Sequence, residues 1–194
     1  FYGREFGKRL ADTVELACSV DGIERVRLGS LEPELITDAD IARFAAEKKF
    51  CPQFHISLQS GCDRTLKAMN RHYTSSEYME LVGKLRAAFP DCSITTDIMT
   101  GFPGETDEDF AESLAFAEKV GFADAHIFPY SVRSGTKAAE MDGQIPEEVK
   151  NIRAKKLSEI IIKSKHDFLE KQVGNIYPIL FEKEKTVNYH EGHA

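Results

Sequence analysis

The chain has 194 residues, of which 42% are hydrophobic and 29% are charged, and this ordinary globular composition excludes a disordered chain or a coiled coil. Its net charge of −7 argues against a stand-alone nucleic-acid-binding domain. No apolar run approaches the roughly 18 residues of a membrane span and no signal peptide opens the chain, so we expect a cytoplasmic protein with no membrane partner.

Short β-branched runs alternate with longer amphipathic stretches along the chain. A first helix is predicted from about residue 5 to residue 19. Strands are predicted at residues 25–31, 54–59, 93–100 and 125–130. Strands separated by helices in this way are typical of a parallel sheet, so the predicted fold class is α/β. Because a closed barrel needs about eight strands, the sheet is predicted to be open or part of a larger, incomplete barrel.

Three of the intervening helices begin at capping boxes, in which a hydroxyl residue is followed three positions later by a carboxylate. The pairs are Thr37 with Asp40, Thr74 with Glu77, and Thr106 with Asp109. Pro90 is predicted to end the second of these helices and Gly121 the third. Proline cannot continue a helix, and glycine accepts the left-handed conformation at a helix end.

The last helix is predicted from Pro146 to about Val173, with Gly174 at its end. Its basic side chains are typical of a solvated helix face, with contact to nucleic acid as the alternative. They are Lys150, Arg153, Lys155, Lys156, Lys163, Lys165 and Lys171. Residues 176–181 are predicted to form one strand followed by a polar tail. Since a single strand does not make a domain, we expect the chain to be a piece of a longer protein.

A polar ligand site is predicted at the carboxyl ends of the strands, where parallel α/β sheets bind their ligands. Small and hydrogen-bonding residues follow all four predicted strands, at residues 29–33, 59–63, 101–106 and 129–133. The third strand also carries Asp97 within an otherwise apolar run, and a buried carboxylate there needs a partner. A purely structural Asp97, paired with a neighbour, is the alternative.

Two further features mark the same end of the sheet. The GFPGET turn brings Gly101 and Gly104 close to whatever lies above the strands, because glycine permits close backbone approach. The long loop after the second strand carries Arg71, whose guanidinium suits a carboxylate or phosphate, with an exposed arginine as the alternative. His55 and His126 lie on predicted strands and are expected to be packed.

Four cysteines, at positions 18, 51, 62 and 92, form no CxxC pair. This spacing argues against a zinc ribbon or a redox dithiol, and reduced thiols are predicted.

The segments HISLQSGCDRTLKAMNRHYTSSEY, TTDIMTGFPGETDEDF and FPYSVRSGTKAA together resemble the radical S-adenosylmethionine methylthiotransferases that modify tRNA. The resemblance runs from about Arg25 to Lys171. The variants RLGSLEP and FPYS-x-R-x-GT are most similar to the branch that acts on threonylcarbamoyladenosine next to the anticodon. They are less similar to the branches acting on isopentenyl-adenosine or on a ribosomal protein aspartate.

The resemblance implies a fold, cofactors and partners. Residues 1–173 would be the carboxyl-terminal part of a radical S-adenosylmethionine domain, a partial (β/α) barrel. Residues 174–194 would begin an RNA-binding β-barrel of the TRAM type. In the full-length protein, [4Fe–4S] clusters would cleave S-adenosylmethionine to a 5′-deoxyadenosyl radical, and a methylthio group would be installed on C2 of the adenine in tRNA. The sulfur donor is left open.

The chain departs from the family pattern in one respect. The cluster-binding CxxxCxxC segment is absent, and the four cysteines lie in other contexts. We therefore expect the chain to hold no metal ligands or catalytic residues and to be inactive by itself.

The resemblance also implies residues that bind S-adenosylmethionine. They are Ser30, Glu32, Gln59, Ser60, Arg71, Asp97, Gly101, Phe128 and Tyr130. Arg71 is expected at the methionine carboxylate, Ser30 and Glu32 at hydroxyl or amino groups, and backbone near Gly101 and Phe128 beside the adenine. Glu105 is expected to fix its own turn and not to contact ligand.

Two alternatives remain open. Oxygen-independent coproporphyrinogen oxidases and elongator-type acetyltransferases share part of the QS-x-x-D and glycine-turn pattern. A non-catalytic α/β binding module without a cluster is the second alternative.

Overall fold

The structure of the chain is a computed structural model, which describes residues 3–186 and 189–193. The helices are α1 (Leu10–Ser19), α2 (Asp38–Ala46), α3 (Asp63–Ala68), α4 (Ser75–Ala88), α5 (Asp107–Val120), α6 (Lys137–Glu140) and α7 (Glu147–Gln172). The strands are β1 (Ser30–Leu31), β2 (Gln53–Ile56), β3 (Ser93–Thr100), β4 (Asp124–Pro129), β5 (Leu180–Thr186) and β6 (Tyr189–His193). Short 3-10 turns lie at Arg4–Phe6 and Pro33–Leu35.

The first four strands form one parallel sheet in the order β1-β2-β3-β4. This arrangement confirms the predicted open α/β sheet. The central strand β3 has its predicted bounds, but β1 is only two residues long. The predicted run before it contributes a single parallel bridge between Val26 and Phe50. β2 also ends earlier than predicted, at Ile56, although Gln59 still forms an isolated parallel bridge with Ile98 of β3.

All three predicted capping boxes are present. The hydroxyls of Thr37, Thr74 and Thr106 each accept a hydrogen bond from the backbone N–H three residues on. The first helix begins at Leu10, later than predicted, because Gly7 takes φ 66° and turns the chain before it. Gly121 ends α5 with φ 64°, as predicted.

The two faces of the sheet differ. One face is covered by helices, and Phe54, Ile56, Ile94 and Ile98 point into the core on this side. Successive side chains of β3 point to opposite faces of the sheet, so the side chains between the buried ones face the uncovered side. We call that side the open face, and the strand register places on it Ser30, His55, Thr95, Asp97, Met99, Asp124, His126 and Phe128.

The segment after α7 differs from the prediction of one strand and a polar tail. Residues 175–179 have no regular structure, and β5 begins at Leu180. Polar residues that were predicted to be a tail form β6, which pairs antiparallel with β5. Arg25, before β1, donates to the backbone oxygen of Pro178 at 2.6 Å, so this segment contacts the sheet domain.

Within the described residues, no helix has both the length and the apolar character needed to cross a membrane.

Candidate functional site

Two charged residues from different loops meet beyond the carboxyl ends of β1 and β2. Arg71 Nη1 donates to Glu32 Oε1 at 2.8 Å. Asn70, with φ 58°, turns the chain immediately before Arg71. Both side chains remain about one third exposed, so their other polar atoms face solvent. We call Arg71 and Glu32 the rim pair, and the sequence predicted each of them separately as a ligand contact.

Asp97 lies at the middle of the open face and is therefore half-buried, where the sequence predicted a buried position. His55 Nε2 lies 3.1 Å from Asp97 Oδ2. Within the described part of the chain, Oδ1 of Asp97 has no hydrogen-bond partner. The carboxylate thus has both the structural partner that the alternative required and one oxygen open to a ligand.

The GFPGET turn is built differently from the prediction. Gly101 has φ 72°, and a Cβ there would lie 2.1 Å from Lys150 Cγ, so the close approach is to α7 and not to a ligand. The Gly101 N–H donates to both carboxylate oxygens of Glu105, at 3.1 and 3.2 Å. This contact confirms that Glu105 fixes its own turn.

A buried charge network joins this turn to α7. Arg153 donates to Glu105 Oε1 at 2.7 Å and also to Asp107, while Lys150 Nζ donates to the backbone oxygen of Tyr130 at 2.7 Å. Lys150 and Arg153 are each only 5% exposed, so assigning them to a solvated or nucleic-acid-binding face was wrong. Burial raises the pKa of Glu105 above its ordinary value, although Gly101 and Arg153 act in the opposite direction.

Some predicted site residues have buried side chains. The Ser60 hydroxyl is buried and bonds the Ser113 hydroxyl of α5 at 2.9 Å, and Gln59 is 8% exposed. Tyr130 packs its ring against Phe102 at 5.6 Å, and its hydroxyl has no partner among the residues described. These three side chains face the interior, as does the backbone N–H of Gly101.

Other predicted residues do lie together. Ser30 and Phe128 share the open face with Asp97, and the rim pair stands at its carboxyl end. The Phe128 ring stacks on His126 at 5.4 Å with an interplanar angle of 28°. His126 is exposed, so the prediction that it is packed was wrong.

Sequence reasoning missed the polar group beside Asp97. His55 bonds Thr95 as well as Asp97, and Thr95 also accepts from Gln53 Nε2 at 3.3 Å. A hollow of about 360 Å³ opens next to these side chains and is lined by His55, Thr95, Thr96, Asp124, Ala125 and His126. A sequence signal for this polar group was present in β2. Gln53 and His55 alternate there with apolar residues, and this alternation places both side chains on one face of the sheet.

The cysteines do not suit the iron–sulfur cluster that the resemblance implies. Such clusters bind thiolates, but Cys18 and Cys92 are buried, and burial raises the pKa of both thiols. Cys62 is also buried, and its thiol lies 3.3 Å from Asp109 Oδ1. In the described ranges, the only three potential metal ligands within reach of one another are His166, Asp167 and Glu170, exposed on α7. The residues of this chain therefore do not fit a cluster.

Comparisons with known proteins give a family and a fold. The Radical SAM superfamily profile matches residues 2–117. The chain is 50% identical over 161 residues to the tRNA-2-methylthio-N(6)-dimethylallyladenosine synthase of Thermobifida fusca, covering 82% of the chain and 33% of that protein. It is 46% identical over 158 residues to the threonylcarbamoyladenosine tRNA methylthiotransferase MtaB of Thermotoga maritima, covering 81% of the chain and 36% of that protein. The chain thus spans about a third of the length of these curated relatives.

Among solved structures, coproporphyrinogen III oxidase of Escherichia coli superposes with a TM-score of 0.60 at 16% identity. The match covers 72% of this chain and 32% of that one. This likeness concerns the fold, and it confirms the predicted partial barrel with parallel strands.

Proposed function

The chain belongs to the radical SAM superfamily, and from this premise we propose that it is the S-adenosylmethionine-binding part of a tRNA methylthiotransferase. One observation carries the proposal: the open face offers an Asp97 oxygen without a partner among the described residues, and the rim pair lies beyond the carboxyl ends of strands of the same sheet. Open parallel sheets bind ligands at this end of their strands.

The charges of the rim pair match the amino-acid part of S-adenosylmethionine. The ligand carries a carboxylate and an ammonium group on one carbon. Arg71 has further N–H donors for the carboxylate, and Glu32 has a second oxygen for the ammonium. Ser30, which is exposed on β1, lies two residues before Glu32 in the sequence.

The aromatic pair on β4 offers a surface for the adenine. Phe128 and His126 are stacked on the open face, and Phe128 lies two residues before Tyr130. Planar rings bind one another in offset stacks, each contributing about 0.5–1.5 kcal/mol beyond the area buried. Ligand contacts by Gln59, Ser60, Gly101 and Tyr130 would have to use backbone atoms or a rearranged side chain, because these groups now face the interior.

The chemistry of this chain is binding and orientation. In the full-length protein, reduction of S-adenosylmethionine by a [4Fe–4S] cluster would supply the radical chemistry, and the cysteines here do not fit that cluster. We therefore propose that the isolated chain binds S-adenosylmethionine without turning it over.

For the substrate of the whole protein, we propose C2 of threonylcarbamoyladenosine next to the tRNA anticodon. The RLGSLEP and FPYS-x-R-x-GT segments and the similarity to the Thermotoga maritima relative support this nucleoside. Dimethylallyladenosine is the second candidate, because the Thermobifida fusca relative is 50% identical.

For the partner tRNA, we propose that residues 174–194 begin an RNA-binding β-barrel and that residues 1–173 belong to the radical domain. The antiparallel pairing of β5 with β6 supports a sheet that begins after Gly174. The exposed basic residues of α7 are candidates for phosphate contact, and they are Lys155, Lys156, Lys163 and Lys171.

Two experiments test these proposals. Calorimetric titration of the chain with S-adenosylmethionine should show saturable binding that Asp97→Asn weakens, and no binding would contradict the ligand assignment.

The full-length protein should be expressed in cells lacking both methylthiolated adenosines, followed by mass spectrometry of tRNA nucleosides. Methylthiolated threonylcarbamoyladenosine supports the first substrate, and methylthiolated dimethylallyladenosine supports the second.

A further inference from the structure

A chain of four polar side chains crosses the open face from β2 to β3. Gln53 Nε2 donates to Thr95 Oγ1 at 3.3 Å, Thr95 Oγ1 lies 3.0 Å from His55 Nδ1, and His55 Nε2 lies 3.1 Å from Asp97 Oδ2. The register explains the order, since His55 pairs directly with Thr95 and Asp97 lies two residues further along β3 on the same face.

The hydrogen bonds among these four side chains are satisfied by a neutral His55 that carries its proton on Nε2. An ionised carboxylate only accepts, so His55 must carry its proton on Nε2 to bond Asp97. In a neutral imidazole, Nδ1 is then an acceptor, and the Thr95 hydroxyl donates to it. Thr95 is left to accept from the Gln53 amide, and that contact is present. Every bond in the series therefore has one donor and one acceptor without conflict.

The same contacts use only one of the two carboxylate oxygens of Asp97. His55 fixes Oδ2, whereas Oδ1 has no partner among the residues that the structure describes. The Asp97 side chain is 28% exposed on the uncovered side of the sheet. One oxygen is thus held in place while the other is presented to the space in front of the sheet.

We propose that His55 is a positioning residue: Thr95, itself bonded by Gln53, holds the His55 ring, and His55 in turn orients Asp97 so that Oδ1 accepts a hydrogen bond from S-adenosylmethionine. This role rests on the proposed function of the open face. A carboxylate oxygen recognises a donor, and the ligand has two kinds: the ribose hydroxyls and the ammonium group. Because His55 already holds the Asp97 carboxylate, ligand binding has less side-chain conformational freedom to remove.

The test compares two substitutions of His55. His55→Leu removes the N–H that holds Asp97, and we expect the affinity for S-adenosylmethionine to fall about tenfold, as for loss of one hydrogen bond to a charged group. His55→Gln retains an amide N–H for Asp97 and an oxygen for Thr95, so it should restore most of the affinity. His166→Leu, an exposed histidine on α7, is the matched control and should bind like the unaltered chain.

A coupling measurement separates positioning from a general loss of structure. In the Asp97→Asn background, His55→Leu should cost little further affinity, because its effect passes through the carboxylate. An undiminished loss in that background would overturn the proposal. So would failure of His55→Gln to bind better than His55→Leu when both variants unfold at the same denaturant concentration.

The donor can be identified with 5′-methylthioadenosine, which has the ribose but no amino acid. If His55→Leu weakens binding of this compound as well, Asp97 contacts a ribose hydroxyl. If the effect is confined to S-adenosylmethionine, the contact is to the ammonium group. Loss of the effect with both ligands would contradict the role of His55.

A spectroscopic measurement tests the proton arrangement without any ligand. Long-range proton–nitrogen correlation of the His55 ring should show the proton on Nε2 and none on Nδ1, and the opposite tautomer would overturn the proposed order.

If the unaltered chain binds no S-adenosylmethionine, the proposed function is wrong and the ligand role of His55 with it. If it binds equally in all His55 variants, only the positioning role is wrong.

Discussion

Arg153 and Glu105 form an ion pair with 2.7 Å between Nη1 and Oε1, and the two side chains are only 7% and 2% exposed. The pair joins the first turns of α7 to the glycine turn after β3. These two segments are far apart in the sequence. Arg153 also bonds the Glu105 backbone oxygen, so one guanidinium fixes both the main chain and the side chain of the turn.

Breaking this pair from one side should be costly. Arg153→Met leaves Glu105 buried without its cation, and we expect the free energy of unfolding to fall by about 3–5 kcal/mol. Chemical denaturation at neutral pH measures this. Lys156→Met, on the exposed side of the same helix, should stay within about 0.5 kcal/mol of the unaltered chain. A fully stable Arg153→Met variant would contradict the structural role of the pair.

A methyl group at Gly101 should be poorly tolerated. The Cβ would meet the Lys150 stem, and the left-handed φ adds a further cost, so Gly101→Ala should destabilise the chain by about 2–4 kcal/mol. Gly104→Ala is the matched control, because its φ is 81° but its Cβ would lie in open space. Its cost should be limited to about 1–2 kcal/mol, and equal costs at the two positions would argue against the contact with Lys150.

Stability should depend on pH through Asp40. Burial disfavours its charge, but hydrogen bonds from Arg9 and Thr37 outweigh that effect and lower the pKa of Asp40 to about 2 from its ordinary 3.8. A folded-state pKa below the unfolded value means that the stabilisation is present above pH 3.8 and disappears as the pH falls towards 2. The shift corresponds to about 2 kcal/mol at neutral pH.

Asp40→Asn should remove most of this stabilisation at pH 7 and flatten the dependence of unfolding free energy on pH between about 5 and 2. Asp38→Asn, at an exposed position of the same helix, tests whether any carboxylate of α2 has this effect. Parallel urea titrations over this pH range give the comparison, and a steep acid limb that persists in Asp40→Asn would refute the assignment.

Ligand affinity should depend on Arg71 only through the amino-acid part of the ligand. We expect Arg71→Gln to weaken S-adenosylmethionine binding by about tenfold or more, since the proposed charge-assisted pair to the ligand carboxylate would be lost. Binding of 5′-methylthioadenosine, which lacks that carboxylate, should change little. Arg133→Gln, in the exposed loop after β4, is the control in the same titrations. Equal losses for both ligands would mean that Arg71 supports the fold instead.

Sequence patterns predicted β3 to the residue and all three capping boxes. β3 has a partner on each side, and a capping box depends only on residues within one turn. The failures lie where a distant partner decides the structure. β1 pairs with β2 through only two residues, and β5 depends on β6, whose polar composition gave no strand signal.

The contacts among the candidate site residues could not be predicted, for the same reason. Arg71, Glu32 and Asp97 were each predicted individually as ligand contacts, but no local pattern says that Arg71 meets Glu32 or that Ser60 turns towards α5. The burial of Lys150 and Arg153 did have a signal. They share one helical face with Leu157 and Ile161, and that face packs into the core.

Helix α7 also sets the distance between the glycine turn after β3 and the segment that leads to β5. Its 26 residues extend for about 39 Å at 1.5 Å per residue. Its first turn is anchored by Lys150 beside Gly101, and the segment after its last turn runs past Arg25 to the hairpin. The length of α7 therefore sets how far β5 and β6 lie along the chain direction from the glycine turn after β3. Inserting or deleting whole turns in α7 would therefore change the position of β5 and β6 relative to the glycine turn after β3 and would break the contact between Pro178 and Arg25.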